Sequence, residues 1–189
     1  MDVRTLIPSN GGDWLARFKD DWKTQVSALQ KRFGADIVEV QMPPDYAVEC
    51  PVIYVRPQAI VEVLRFVRSE TGFEYGFLAD LTAVDLMPED PRFEVVYNLF
   101  SISKHWRIRL KVRLRDGEMV PTSTSVWPGA NWAEREVWDM FGIKFAGHPD
   151  LRRILMDERW DGHPLRKDYP LKGYQIFGTP EPVKPDLLE

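Results

Sequence analysis

Two histidines with nearby aspartates are the residues of this chain whose types could support metal chemistry. His148 and His163 each lie in a Gly-His-Pro tripeptide. The carboxylates that could complete a ligand set with them are Asp150, Asp157, Asp161 and Asp168. The chain has no His-x-x-x-His pair and no His-Glu-x-x-His run, which are the spacings typical of zinc sites on helices. A self-contained metal-dependent hydrolase is therefore the weaker interpretation, and the sequence predicts no catalytic residue and no metal site.

The cysteine content limits redox chemistry. Cys50 is the only cysteine among the 189 residues. One thiol cannot form an internal disulfide, hold an iron–sulfur cluster or supply a cysteine-type zinc site. The sequence therefore indicates a chain in reducing, cytosol-facing surroundings that carries no redox centre of its own.

The C-terminal part of the chain has the composition of a protein–protein contact surface. Residues 131–171 contain three of the seven tryptophans, with basic and acidic side chains in nearly equal number. Aromatic side chains supply buried area at interfaces, and arginine pairs there with carboxylates or carbonyls. We expect neighbouring polypeptides to complete the bonding of these groups. An irregular lobe packed on itself is the second interpretation, and an active site is the third.

Length and composition indicate one globular domain with an extension. The chain has 44% hydrophobic residues and 25 Lys and Arg against 29 Asp and Glu, which excludes a wholly disordered protein. The net charge of −4 weakens nucleic-acid binding, which favours basic domains. No apolar run has signal-peptide or membrane-spanning length, so any membrane association is expected to be indirect.

Hydrophobic periodicity predicts helices and strands in the first half of the chain. Steps of three and four predict a helix that ends near Gly34, with a stripe of Leu15, Phe18, Trp22, Val26, Leu29 and Phe33. Short strands are predicted at Ile37–Gln41 and Val52–Val55, with a turn at Pro43-Pro44-Asp45 between them. A second helix is predicted from Pro57 to Gly72.

The clearest strand signal lies in the middle of the chain. Residues 93–100 are β-rich, and apolar residues alternate with four cations over 106–113, which places the cations on one face of a sheet. That basic face is interpreted first as solvated, then as docking an acidic partner, and last as binding nucleic acid. A strand or a loop is expected over 75–84, and a further strand is expected over 122–126. This order predicts an α+β fold, a mostly antiparallel or mixed sheet with helices on one face, and an irregular extended C-terminal arm.

A short helix opens the C-terminal part. Its apolar face contains Ala133, Val137, Met140 and Phe141. Asn131 is predicted to cap the helix, with Glu134 closing a capping box, and Gly142 to end it. Arg135 and Asp139 have the i, i+4 spacing of a surface ion pair. We divide the chain into an α+β domain over 1–130, a partner-binding arm over 131–172 and a proline-containing tail over 173–189.

Several motifs resemble those of a known family. The run NWAEREVWDMFGI at 131–143 is followed by GHPDLRRIL at 147–155 and GHPLRKDYPL at 162–171. Their fixed spacing resembles the C subunit of bacterial proton-translocating NADH:quinone oxidoreductase, the counterpart of the 30-kDa subunit of respiratory complex I. The segment LTAVD at 81–85 is also similar to that family.

The resemblance implies a non-catalytic subunit of the peripheral arm, which supports assembly around the quinone-site and terminal-cluster subunits. The whole complex carries FMN, iron–sulfur clusters and quinone, and it couples electron transfer from NADH to quinone with proton translocation. This chain is expected to hold no cofactor, to bind no nucleic acid and to lie on the cytoplasmic side of the cell inner membrane, which it contacts only through the complex. An equivalent subunit of a membrane-bound hydrogenase is the nearest alternative.

Thirteen side chains of the predicted arm form the expected partner interface. They are Glu134, Arg135, Glu136, Trp138, Asp139, His148, Arg152, Arg153, His163, Arg166, Lys167, Asp168 and Tyr169. If partners complete their bonding, replacing Arg135 or Arg166 by alanine should weaken assembly more than it weakens the isolated chain.

Overall fold

The computed structural model describes residues 14–42 and 50–174, and for residues 14–20 it describes the backbone alone. The predicted turn at Pro43-Pro44-Asp45 lies outside the described residues. The tail beyond residue 174 and the N-terminal residues 1–13 also lie outside them.

Three helices and seven strands form the described part of the chain. In chain order they are α1 (Trp14–Phe33), β1 (Ile37–Gln41), β2 (Val52–Val55), α2 (Ile60–Ser69), β3 (Phe77–Asp85), β4 (Phe93–Ser101), β5 (Trp106–Leu114), β6 (Met119–Pro121), α3 (Ala130–Phe141) and β7 (Lys144–Ala146). The predicted first two helices are confirmed, as are the strands predicted at β1, β2, β4 and β5. The segment at 75–84, expected as a strand or a loop, forms β3. No helix in these residues is both long and apolar enough to cross a bilayer.

The five long strands form one mixed sheet in the order β1-β2-β5-β4-β3. Neighbouring strands are antiparallel except β2 and β5, which are parallel. A separate two-stranded parallel sheet joins β6 to β7. The predicted α+β fold with a mixed sheet is confirmed.

Period-two alternation divides β5 between two environments. Ile108, Leu110 and Val112 are buried in the core with the apolar stripe of α2 and part of α1. On the other face, Lys111 and Arg113 donate to Glu94 of β4 at 2.6 and 3.1 Å. The basic face predicted from the sequence therefore has an acidic partner within its own sheet.

The strand predicted at 122–126 is wrong. The chain pairs earlier, at β6, and then turns, with the carbonyl of Ser123 accepting from the N–H groups of Val126 and Trp127 at 2.8 and 3.0 Å. The reason is a side-chain interaction, because the hydroxyls of Thr122 and Ser123 and the N–H of Ser123 turn toward the carboxylate of Glu134 at 2.5, 2.6 and 2.6 Å.

The same interaction removes the predicted capping box. Glu134 is fully buried, and its carboxylate accepts from Thr122 and Ser123 instead of from an N–H group at the start of the helix. Gly129 occupies the N-cap position of α3, with no side-chain cap. The predicted end of the helix is confirmed, since Gly142 has φ of 80° and its N–H bonds to the carbonyl of Trp138 at 2.8 Å.

The core does not end at residue 130. Val137, Met140 and Phe141 of α3 and Phe145 of β7 are buried in the same apolar cluster as the large sheet. The irregular chain begins after β7. We call residues 147–174 the C-terminal segment.

Candidate partner-binding site

Asp139 organises the first part of the C-terminal segment. This residue is fully buried on α3. One carboxylate oxygen accepts from Arg153 Nη1 at 2.5 Å, and the other accepts the N–H groups of residues 154–156 at 2.9 to 3.1 Å. Burial alone would raise the pKa of Asp139, but these donors outweigh it and lower the pKa below its ordinary value. The Asp139 carboxylate therefore attaches the backbone of residues 154–156 to α3.

Arg135 and Arg153 bind backbone carbonyls of the segment. Arg135 is buried and donates to the carbonyls of Arg152 and Arg153 at 3.0 and 2.9 Å. Arg153 also donates to the carbonyls of Trp160 and Gly162 at 2.8 and 3.1 Å. The i, i+4 pair predicted between Arg135 and Asp139 is wrong, because burying a carboxylate requires several donors and the folded-back segment supplies them.

A second cluster attaches the end of the segment to the large sheet. Asp85 ends β3, and Arg92 lies just before β4. The two side chains form a bidentate pair with distances of 2.9 and 2.7 Å. Asp85 also accepts the backbone N–H of Lys167 at 2.8 Å, and Arg92 forms a second bidentate pair with Asp168 at 2.9 and 2.8 Å.

Arg166 and Asp116 complete this cluster. Arg166 donates to Asp116 with both terminal nitrogens and to Asp168 through Nε at 3.1 Å. The guanidinium groups of Arg92 and Arg166 both lie against the ring of Phe93, at 4.9 and 5.3 Å from its centroid. We call the group Asp85, Arg92, Asp116, Arg166 and Asp168 the arginine clamp.

The clamp shifts the pKa values of its carboxylates downward. Burial would raise the pKa of Asp85, but hydrogen bonds from Arg92 and from the backbone N–H groups of Lys167 and Met87 lower it to about 2. The hydrogen bonds from Arg92 and Arg166 hold the pKa of Asp168 well below its usual range. These carboxylates are charged near neutral pH, where they bind the arginines most strongly.

The structure separates the two histidines that the hydrolase interpretation requires in one site. His148 Nε2 lies 3.2 Å from the carbonyl of Asn131, near the start of α3. His163 Nδ1 lies 2.9 Å from the carbonyl of Asp139, two residues before the end of the helix. At 1.5 Å per residue these carbonyls are roughly 12 Å apart along the axis. Within residues 14–42 and 50–174, no three His, Cys, Asp or Glu side chains are placed to hold a metal ion.

Glu134 and His148 form a buried polar contact under the start of α3. Both side chains are fully buried, and His148 Nε2 lies 4.0 Å from the Glu134 carboxylate. Burial raises the pKa of Glu134 above its ordinary value, although the hydroxyl and N–H donors of Thr122 and Ser123 act against this. The arrangement holds β6 and the loop after it against α3.

The thirteen side chains of the predicted interface have different exposures. Three are buried, namely Glu134, Arg135 and Asp139. Four are exposed, namely Glu136, Arg152, Lys167 and Asp168. The remaining six residues are partly buried as whole residues: Trp138, His148, Arg153, His163, Arg166 and Tyr169. The side chain of His148 itself is fully buried. Many of their polar groups bond within the chain, contrary to the expectation that partners complete them. Their contact with other polypeptides stays a prediction.

Sequence reasoning missed the residues that anchor the segment from outside it. Asp85, Arg92 and Asp116 lie in the α+β domain and carry no periodic signal. The similarity of residues 81–85 to the family was the available indication, since that segment ends on Asp85.

The outer surface of α3 and the C-terminal segment carries large apolar side chains. Those that are more than half exposed are Trp132, Leu155, Leu165, Leu171 and Tyr174. Single exposed apolar residues are common on monomers. Five of them between residues 132 and 174, in a part of the chain held by internal ion pairs, make this part a candidate contact surface.

Comparisons with known proteins extend across this site. Residues 53–175 match the family described as "Respiratory-chain NADH dehydrogenase, 30 Kd subunit". The C 2 subunit of the NADH-quinone oxidoreductase of Rhizobium etli (strain CIAT 652) is 48% identical over 165 residues, which cover 84% of this chain and 86% of the relative. The C subunit of the NADH-quinone oxidoreductase of Roseiflexus sp. (strain RS-1) is 52% identical over 128 residues, 67% of this chain and 74% of the relative.

A solved structure shares the fold. A chain of the membrane-bound sulfane sulfur reductase (MBS), an archaeal respiratory membrane complex, gives a TM-score of 0.60 with 22% identity and covers 84% of this chain and 96% of that one. At this identity the likeness concerns the fold alone. The resemblance found in the sequence motifs is confirmed by the relatives and by the matched family. The chain therefore belongs to the family of the 30-kDa subunit of respiratory-chain NADH dehydrogenase.

Proposed function

We propose that this chain is the C subunit of an NADH–quinone oxidoreductase, a peripheral-arm protein that supports assembly around the quinone-site and terminal-cluster subunits. The proposal includes no catalytic centre and no cofactor in this chain. FMN, iron–sulfur clusters and quinone would be held by other subunits, and the chain would lie on the cytoplasmic side of the inner membrane without inserting into it. The names of the relatives at about half identity support the choice of complex.

One observation carries the proposed role in assembly: the C-terminal segment is held by hydrogen bonds and ion pairs within the chain and exposes apolar side chains. The Asp139 contacts and the arginine clamp fix the segment on α3 and on the large sheet. Ordering a chain before it binds lowers the entropy cost of association. Leu155, Leu165 and Leu171 are thereby displayed in fixed positions, as the anchors of an interface need to be.

A shallow cavity in the segment adds a polar feature to this surface. It has a volume of about 400 Å³. Trp160, Tyr169 and Pro170 supply apolar walls, and Lys167 and Lys172 line it with positive charge. This combination suits a partner loop that presents a carboxylate beside an apolar residue.

Co-purification tests the proposal directly. The tagged full chain would be expressed in a host that lacks its own copy, and membranes would be solubilised in a mild detergent. We expect recovery of the other proteins of the complex in equal amounts, with FMN, iron and NADH–quinone reductase activity in the same fraction. Recovery of the chain alone, as a monodisperse protein that turns over a substrate unaided, would contradict the proposal.

Matched variants distinguish the effect of the exposed apolar side chains on partner binding from the effect of the internal contacts on stability. Leu155→Asp and Leu171→Asp change exposed side chains, so the isolated chain should keep its stability while recovery of partners falls about tenfold. Glu158→Lys, an exposed charge reversal in the same segment, serves as the control and should leave recovery unchanged. Equal recovery with all three variants would place the interface elsewhere.

The hydrogenase-type alternative makes a different prediction about the electron donor. The solved chain with the shared fold comes from an archaeal respiratory membrane complex of another kind, so the fold alone does not identify the electron donor. The purified assembly should oxidise NADH under the proposal, whereas oxidation of hydrogen without NADH activity would favour the alternative.

A further inference from the structure

The outer edge of β3 lacks a strand partner among the residues that the structure describes. β3 is the last strand of the five-stranded sheet and pairs only with β4 on its inner side. In an antiparallel pair, about half of the N–H and C=O groups of an outer strand point away from the sheet. Such a row of groups is a template for another extended chain.

A groove runs along this edge. It has a volume of about 350 Å³ and is lined by the consecutive residues 77–81 of β3, and by Trp127, Pro128, Gly129 and Ala133 on the other side. Successive side chains of a strand point to opposite faces. A cavity that borders five residues in a row therefore follows the edge of the strand. Its opposite wall is formed by residues 127–129, just before α3, and by Ala133 of the helix.

The strand is irregular at this point. Leu78 pairs with Leu99 and Asp80 pairs with Asn98, which leaves Ala79 as an extra residue without a partner on β4. Phe77 at the start of the groove is 50% exposed. The groove thus combines an edge strand without a described strand partner with two aromatic residues of its lining, Phe77 and Trp127.

We propose that this groove binds an extended segment of a partner polypeptide, which adds a sixth strand to the sheet beside β3. The proposal rests on the proposed function, in that the chain works inside a larger assembly. An added strand satisfies the outward N–H and C=O groups of β3, and its alternate side chains enter the groove. Asp80 is the charged residue of the groove lining, so we expect the segment to be apolar with a lysine or arginine opposite Asp80.

Gly129 offers a way to fill the groove without disturbing the fold. Its φ is −63°, and a Cβ added there meets no atom within 4 Å. Gly129→Trp should place an indole in the groove, lower the amount of this chain in the purified complex about tenfold and leave the unfolding temperature of the isolated chain unchanged. Gly129→Ser is the matched control and should assemble like the parent chain.

A second variant removes the backbone donor instead of filling the groove. Ala79→Pro eliminates one N–H at the irregular position, where proline is tolerated in edge strands, and Ala79→Ser keeps it. We expect weaker assembly from the proline variant alone.

Photo-crosslinking identifies the occupant. p-Benzoylphenylalanine would replace Phe77 or Asp80 in the full chain within cells, with Val38 on β1 as the control because it is exposed on the opposite edge strand. The first two positions should link to one short segment of one partner, at sites about three residues apart, and Val38 should not reach it.

Links to a second copy of this chain, links to no partner, or normal assembly of Gly129→Trp would overturn the proposal. The proposed function is tested separately by co-purification of the unmodified chain with the complex, which does not depend on the groove.

Discussion

Arg92 and Asp168 are 76 residues apart in the chain and form a bidentate ion pair, with nitrogen–oxygen distances of 2.9 and 2.8 Å. The same guanidinium holds Asp85, whose side chain is almost fully buried. Arg92 thus joins the end of β3 to the C-terminal segment. The contacts that position the segment on the sheet therefore lie within this chain.

Replacing Arg92 by alanine should release the end of the C-terminal segment. It leaves Asp85 buried with fewer donors, and we expect a loss of about 2–3 kcal/mol in the free energy of unfolding. Arg92→Lys keeps the charge but loses the planar fork, so its effect should be smaller. Urea unfolding gives the energies, and limited proteolysis should show faster cleavage after residue 160. Arg159→Ala, which removes an exposed pair with Asp157, is the control and should change neither measurement.

Acid should remove the contribution of Asp85 in a defined pH range. Its pKa falls from 3.8 to about 2 on folding, so its stabilising effect is complete above about pH 4 and is lost as the pH falls toward 2. The lowering corresponds to about 2 kcal/mol. The difference in unfolding free energy between the parent chain and Asp85→Asn should therefore shrink by that amount from pH 5 to pH 2. A difference that stays constant over this range would contradict the assignment.

Gly142 should tolerate no side chain, for two separate reasons. Its φ is 80°, and an added Cβ would lie 2.7 Å from Cδ2 of His163, whose ring is held by the carbonyl of Asp139. We expect Gly142→Ala to cost about 2–3 kcal/mol in denaturant unfolding. Gly117→Ala isolates the backbone effect, because Gly117 has φ of 85° but no neighbour within 4 Å. That variant should cost about 1 kcal/mol, and equal costs would show that the contact with His163 is unimportant.

Arg135→Ala should weaken the isolated chain rather than assembly alone. The guanidinium is buried and binds two backbone carbonyls of the C-terminal segment, so its removal leaves those carbonyls without donors and should cost about 2 kcal/mol. Trp132→Ala changes an exposed ring and should affect partner recovery more than thermal unfolding. If Arg135→Ala lowers recovery without changing the unfolding transition, the expectation drawn from the sequence is restored.

The periodic parts of the fold could be predicted from the sequence because backbone geometry has a short repeat. The alternation in β5 placed Ile108 and Leu110 in the core, and the stripe of α2 placed Leu64 there. Gly142 marked the end of α3 because a left-handed residue after a helix favours glycine. The C-terminal part lacks hydrophobic periodicity. There the family was identified by the fixed spacing of the motifs at 131–143, 147–155 and 162–171.

The pairing of charges was decided by the tertiary structure. Local spacing favours an Arg135–Asp139 pair, but Asp139 is buried, and a buried carboxylate requires more donors than one helix neighbour provides. The folded-back segment provides Arg153 and three backbone N–H groups instead. Glu134 likewise accepts from Ser123 and does not form the predicted capping box of α3. Sequence alone determined the three helices, most strands of the large sheet and the family that the motifs resemble. Packing determined the short strands β6 and β7 and the partner of each charge, because strand pairing and desolvation depend on neighbours that are distant in the chain.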